Sequence, residues 1–142
     1  MKKTFSWQNF TFWVFAIGML TIGAQILSGC GENQAKAVEE GRALYVSYCQ
    51  VCHGEHGDGA MSDRLSSPPP DLRQISARRN GEFPEEYIAG VIAGRERITG
   101  HPASDMPSFW IAIRNGENLS SDEQVEEKID LLVAYLKSIQ NK

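Results

Sequence analysis

Cys49-Gln50-Val51-Cys52-His53 decides how the rest of this chain is read. Two cysteines stand one helical turn apart, and a histidine follows the second directly. That spacing is the attachment signature of c-type haem. Each thiol adds to one haem vinyl group, so Cys49 and Cys52 tie one edge of the macrocycle to the chain. His53 is then held beneath the iron as its proximal ligand. The motif therefore predicts a cofactor, a metal, one axial ligand and a compartment, because this haem is attached outside the cytoplasm.

Other chemistries use paired cysteines. Half a zinc site needs a second Cys/His pair at ligand spacing, and the chain has none. A thioredoxin-like redox pair belongs at a strand-to-helix turn of an α/β pattern, which is also missing. An ordinary disulfide gives no role to the adjacent His53.

Upstream, the first thirty residues differ in composition from the rest. Lys2 and Lys3 open the chain, Phe10 to Leu27 is almost wholly apolar, and Leu27-Ser28-Gly29-Cys30 closes the run. This resembles a bacterial lipoprotein signal, in which Cys30 is lipidated and becomes the new N-terminus after cleavage. The alternative is an uncleaved membrane anchor, since the run reaches spanning length. Either way the domain is expected on the outer face of the cytoplasmic membrane or in the periplasm, with Lys2 and Lys3 left inside. Gly31 stands where an aspartate resembles an inner-membrane retention signal, which allows transfer to the outer membrane in a Gram-negative cell.

The expected organisation is a signal at 1–29, a lipidated tether at 30–37 and one domain at 38–142. Removing the signal removes two lysines and no acid, so the net charge moves from −4 to −6. An acidic domain argues against nucleic acid and anionic lipid, and permits docking on a basic patch of a protein partner. The three cysteines are all assigned: Cys49 and Cys52 to haem, Cys30 to lipid.

Residues 31–37 are small and polar with no apolar period, which predicts an extended tether reaching about 25 Å. Val38 to Tyr48 predicts a helix with Val38, Ala43, Leu44 and Tyr45 on one face. Gly41 in its middle costs about 1 kcal/mol relative to alanine, which suggests close approach of another helix. Gly54 to Pro70 reads as loop, and Asp71 as the cap of a short helix through about Ala77. Asn80-Gly81 marks a turn, Pro84 suits a first helical position, and Glu85 to Ala93 continues to a stop at Gly94. Ile98 to Ser108 is loop, and Ile111 and Ile113 show a brief strand-like alternation. Ser121 to Gln124 forms a capping box. The helix behind it carries Val125, Ile129, Leu132, Leu136 and Ile139 along one face, widened by Leu131 and Tyr135.

In this order of features the chain resembles a class I c-type cytochrome over about Val38 to Gln140. The resemblance implies an all-α fold in which the first and last helices pack crosswise around one covalent haem, with loops and short middle helices between them. Gly41 and Tyr45, facing Tyr135 and Leu136, match the glycine and aromatic contact of that crossing. It also implies a distal methionine in the loop before the last helix, where Asp105-Met106-Pro107 stands. Met61 lies only eight residues after His53, and His101 is the alternative ligand in the same loop as Met106. His56 reads as a solvated loop residue, and Phe109 and Trp110 as cover for the haem edge. A backbone carbonyl from Pro68, Pro69 or Pro70 is expected to orient the His53 ring, and Arg73, Arg95 and Arg97 are candidate propionate donors.

A haem held by His53 and Met106 has both axial positions filled, so the expected role is electron transfer and not enzymatic catalysis. The partners are then redox proteins: an oxidase, a dehydrogenase, or a respiratory complex of which this chain is the haem subunit. The alternative is a haem protein with an open or labile distal site that binds a small ligand or acts catalytically.

Overall fold

The computed structural model describes residues 31–59, 69–96, 106 and 108–141. Two compact units divide the chain, Met1–Ala35 and Lys36–Lys142. In the first, the described residues 31–35 are helical. The apolar run Phe10 to Leu27 and Cys30 lie outside the described residues, as do Met61, Arg97 and His101. No described helix is long and apolar enough to cross a membrane.

Within the second unit α1 covers 36–48, and a short α2 (Gln50–His53) follows across Cys49. The stretch expected as an extended tether, 31–37, is helical instead. Glu32, Gln34, Ala35, Lys36 and Ala37 are good helix formers, and Lys36 pairs with Glu40 one turn on, at 3.6 Å. A missing apolar period there meant exposure on all sides, with 31–36 all exposed, and not extension. Helical residues rise only about 1.5 Å each, so the expected reach does not hold.

The inner face of α1 is Gly41, Leu44 and Tyr45, with Val38 and Tyr48 packed at its margin. Ala43, expected inside, is exposed. Gly41 meets the last helix, α5 (Asp122–Ser138), so closely that a Cβ there would stand 2.7 Å from the Leu131 carbonyl carbon and 2.9 Å from Tyr135 Cβ. One turn on, the Tyr45 and Tyr135 rings stack at 5.1 Å between centroids, tilted by 47°. Glycine is thus required by the approach of two backbones, which explains why its helix penalty is tolerated.

Asp71 caps as expected, accepting from the Arg73 backbone N–H at 2.9 Å, but the turn it starts is short. Two 3₁₀ turns, Leu72–Gln74 and Ala77–Arg79, carry the chain to left-handed Asn80. Helix α3 (Glu85–Ala93) follows with Pro84 at its cap, one position earlier than expected, and stops at left-handed Gly94.

Phe109–Gly116 forms α4, where the sequence suggested alternation. Residues two apart in a helix point to nearly opposite sides, and Ile111 is 59% exposed while Ile113 is fully buried. The informative spacing was Phe109 to Ile113, four residues, with Gly116 at the end.

Helix α5 is the hub. Its capping box is complete: the Gln124 backbone N–H donates to Ser121 Oγ, and Gln124 Oε1 accepts from the Ser121 N–H at 3.2 Å. It packs on α3 and α4. Val125, Ile129 and Leu132 are wholly buried, and Leu136 nearly so. Each contributes about 1.5–3 kcal/mol. An exposed ion pair such as Lys137 with Glu85, 2.6 Å, adds only about 0–1 kcal/mol. Val133, off the expected stripe, is also buried, against the same core. No strand occurs among the described residues.

Candidate functional site

The site grows from the end of α1. The Cys49 N–H donates to the Tyr45 carbonyl at 2.8 Å, and the Cys52 and His53 N–H groups both donate to the Cys49 carbonyl, at 3.2 and 3.0 Å. This turn sets the two thiols one helical turn apart with the imidazole directly beyond. Both cysteines are half-buried and carry free thiols. Burial, with Cys52 close by as the lesser cause, pushes the Cys49 thiol up to about 12. His53 is half-buried and its Nδ1 is fully shielded from solvent. His56 is exposed, as expected of a solvated residue.

After His53 the chain turns through Gly54, Gly57 and Gly59, all at positive φ. At Gly59 (φ +74) the Pro69 carbonyl oxygen would lie 2.8 Å from a Cβ, so the two loops touch backbone to backbone. The turn is held at several points. The Tyr45 hydroxyl, itself buried, donates to the Gly54 carbonyl at 2.7 Å. The Gly59 N–H donates to the His53 carbonyl at 2.9 Å, and the Leu72 N–H to the Gly57 carbonyl at 2.7 Å.

Met106 is half-buried. The segment just beyond it is tied down by Ser108, whose hydroxyl donates to the Ala93 carbonyl at the end of α3, at 2.7 Å. Phe109 and Trp110 follow on α4, half-buried against the core. Arg95 lies over the Trp110 ring, 5.6 Å from its centroid, and gives two donors to Glu126, at 2.7 and 3.2 Å. Arg73 likewise holds Asp71 at two points, 3.0 and 2.8 Å, which keeps the Asp71 carboxyl below the usual range. Two of the three arginines named as propionate donors, Arg73 and Arg95, thus already pair with carboxylates of the chain, and Arg97 lies outside the described residues.

The sequence model of the cytochrome c family matches residues 38–140, the span over which the resemblance was read. The chain belongs to the cytochrome c family. No curated protein and no solved structure matches it significantly. Membership brings a covalently bound haem c with iron and a role in haem-based electron transfer. The residues of this cytochrome c domain fit that group: two free thiols on one helical turn, an adjacent imidazole, and the half-buried thioether of Met106. Among the described residues no cluster of three or more His, Cys, Asp or Glu is arranged to hold a bare metal ion.

Two contributors to the site escaped the sequence reading. Tyr45 was read as a packing residue, yet its hydroxyl anchors the turn after His53. Its place four residues before Cys49, on the same helix face, was the available signal. Tyr48, beside the motif, donates to Glu117 at 3.1 Å across a long sequence separation that no local pattern reveals.

Proposed function

We propose that this protein is a membrane-tethered electron carrier with a single haem ligated by His53 and Met106. Cys49 and Cys52 form the two thioethers, His53 is the proximal ligand and Met106 the distal one. The observation that carries this reading is the hydrogen-bonded turn 49–53, which presents two free thiols and a shielded imidazole from one rigid element. A haem so bound supplies one-electron exchange between Fe(III) and Fe(II).

The chain's own part is to bind, orient and exclude water. The Tyr45 hydroxyl and the Leu72 N–H hold the turn that follows His53. Ser108 holds the segment carrying Met106. A methionine thioether is a soft ligand that favours Fe(II), so it raises the reduction potential relative to two histidines. Cys30 carries the lipid, and two or more acyl chains give stable anchoring where one is marginal. The domain then works outside the cytoplasm on redox proteins of the membrane, as a shuttle on its anchor.

The test is an optical spectrum of protein matured with haem outside the cytoplasm, oxidised, then reduced, then exposed to carbon monoxide. A far-red sulfur–iron band with no response to carbon monoxide is the expected result. A missing band with carbon monoxide binding would make this an open haem of the ligand-binding kind. A missing band without such binding would transfer the distal role to His101.

A further inference from the structure

The last residues of the chain do more than end a helix. Gln140, just past α5, reaches back with its side-chain amide. Its Nε2 donates to the Leu72 carbonyl at 2.9 Å and to the Leu136 carbonyl at 2.7 Å. Its Oε1 accepts from the Ser76 backbone N–H at 2.9 Å. The next residue adds a fourth tie, Asn141 N–H to the Arg73 carbonyl at 2.9 Å. One side chain therefore joins the start of the first 3₁₀ turn to the cap of the second and fastens both to the hub helix.

Leu72 is the node. Its carbonyl accepts from Gln140, and its own N–H donates to the Gly57 carbonyl at 2.7 Å. Gly57 donates to Gly54, the residue after His53. Ile139 reinforces the path, with its Cδ1 3.1 Å from where a Cβ of Gly57 would stand. The end of α5 thus bears on the turn after His53 through one backbone hydrogen bond and one apolar contact.

We infer that Gln140 is a positioning residue of the haem site: through Leu72 and Gly57 it holds the turn that fixes His53. This rests on the assignment of His53 as the proximal ligand. A loosened turn admits water beside the haem, which favours the more charged ferric state and lowers the potential.

The experiment compares full-length, haem-loaded wild type with Gln140→Ala, Gln140→Glu and Ser121→Ala. The last weakens the opposite end of α5 and controls for general destabilisation. Gln140→Glu keeps an acceptor for Ser76 but sets a carboxylate against two carbonyls. Both Gln140 variants are expected to speed hydrogen exchange at Leu72 N–H about tenfold, as loss of the half-buried hydrogen bond to the Leu72 carbonyl loosens the turn. They are also expected to lower the reduction potential, while Ser121→Ala leaves it unchanged. Faster exchange with an unmoved potential would make Gln140 a contact of the fold alone and overturn the inference. Wild-type exchange at Leu72 in Gln140→Glu would overturn it too. A wild type without the covalent haem mass increment would sink the electron-carrier reading first, and this inference with it.

Discussion

Tyr45 shows how one hydroxyl group links packing to chemistry. Its ring belongs to the α1–α5 contact, and its O–H satisfies Gly54 directly after His53. Tyr45→Phe keeps the ring and leaves the buried Gly54 carbonyl with only the longer Gly57 N–H bond, 3.3 Å, so stability should fall by about 0.5–1.5 kcal/mol in denaturant titration. Burial, with Cys49 next in weight, also raises the Tyr45 phenol well above its ordinary value. A phenol whose folded pKa exceeds the unfolded one stabilises fully below pH about 10, and that stability is lost as pH rises further. Tyr48 and Tyr135 are displaced in the same direction, chiefly by burial. Unfolding free energy should therefore fall above pH about 10, more shallowly in Tyr45→Phe; identical slopes would show that Tyr45 does not contribute. For Met106, replacement by alanine should lower the potential and open the iron to carbon monoxide, and an unchanged potential would remove it as the ligand. Cys49, Cys52 and His53 stood out as candidates in the sequence because their chemistry resides in adjacent residues. The role of the Tyr45 hydroxyl was not, because its acceptor is a backbone carbonyl placed by a loop.

Helices set a different test at Gly41. Intrinsic propensity favours alanine there by about 1 kcal/mol. The added Cβ, however, would strike the Leu131 backbone and Tyr135, and overpacking against atoms that cannot swing aside costs about 1–3 kcal/mol. Packing wins, so Gly41→Ala should lower Tm, by about 4–8 °C for each net kcal/mol in a domain of this size. A rise in Tm would mean that the two helices stand further apart. Helix α5 was readable, apart from buried Val133, because a capping box and a long apolar stripe agree. Helix α4 was not, since its eight residues offer barely two turns of period and the alternation of Ile111 with Ile113 mimics a strand.

Across the whole chain the net charge is −4, and −6 without Lys2 and Lys3; the N-terminal apolar run ending at Cys30 resembles a lipoprotein signal. If Cys30 carries the lipid, Cys30→Ser should release the domain from membranes on fractionation. Retention of the variant in the membrane fraction would make the apolar segment an uncleaved anchor. Residues 31–37, where an extended tether was expected, are helical.

By itself the sequence determined the cofactor, its two attachment cysteines as candidates, the all-helical class and the last helix. Each of these depends on local spacing: one turn between thiols, three or four residues between apolar positions, a cap before a stripe. Only tertiary structure decided that Gly41 is a backbone crossing, that Arg73 and Arg95 are engaged by Asp71 and Glu126, and that Gln140 braces Leu72. Apart from the short Arg73–Asp71 pair, those contacts join residues tens of positions apart. Their energies depend on distances of a few ångströms that no periodicity along the chain encodes.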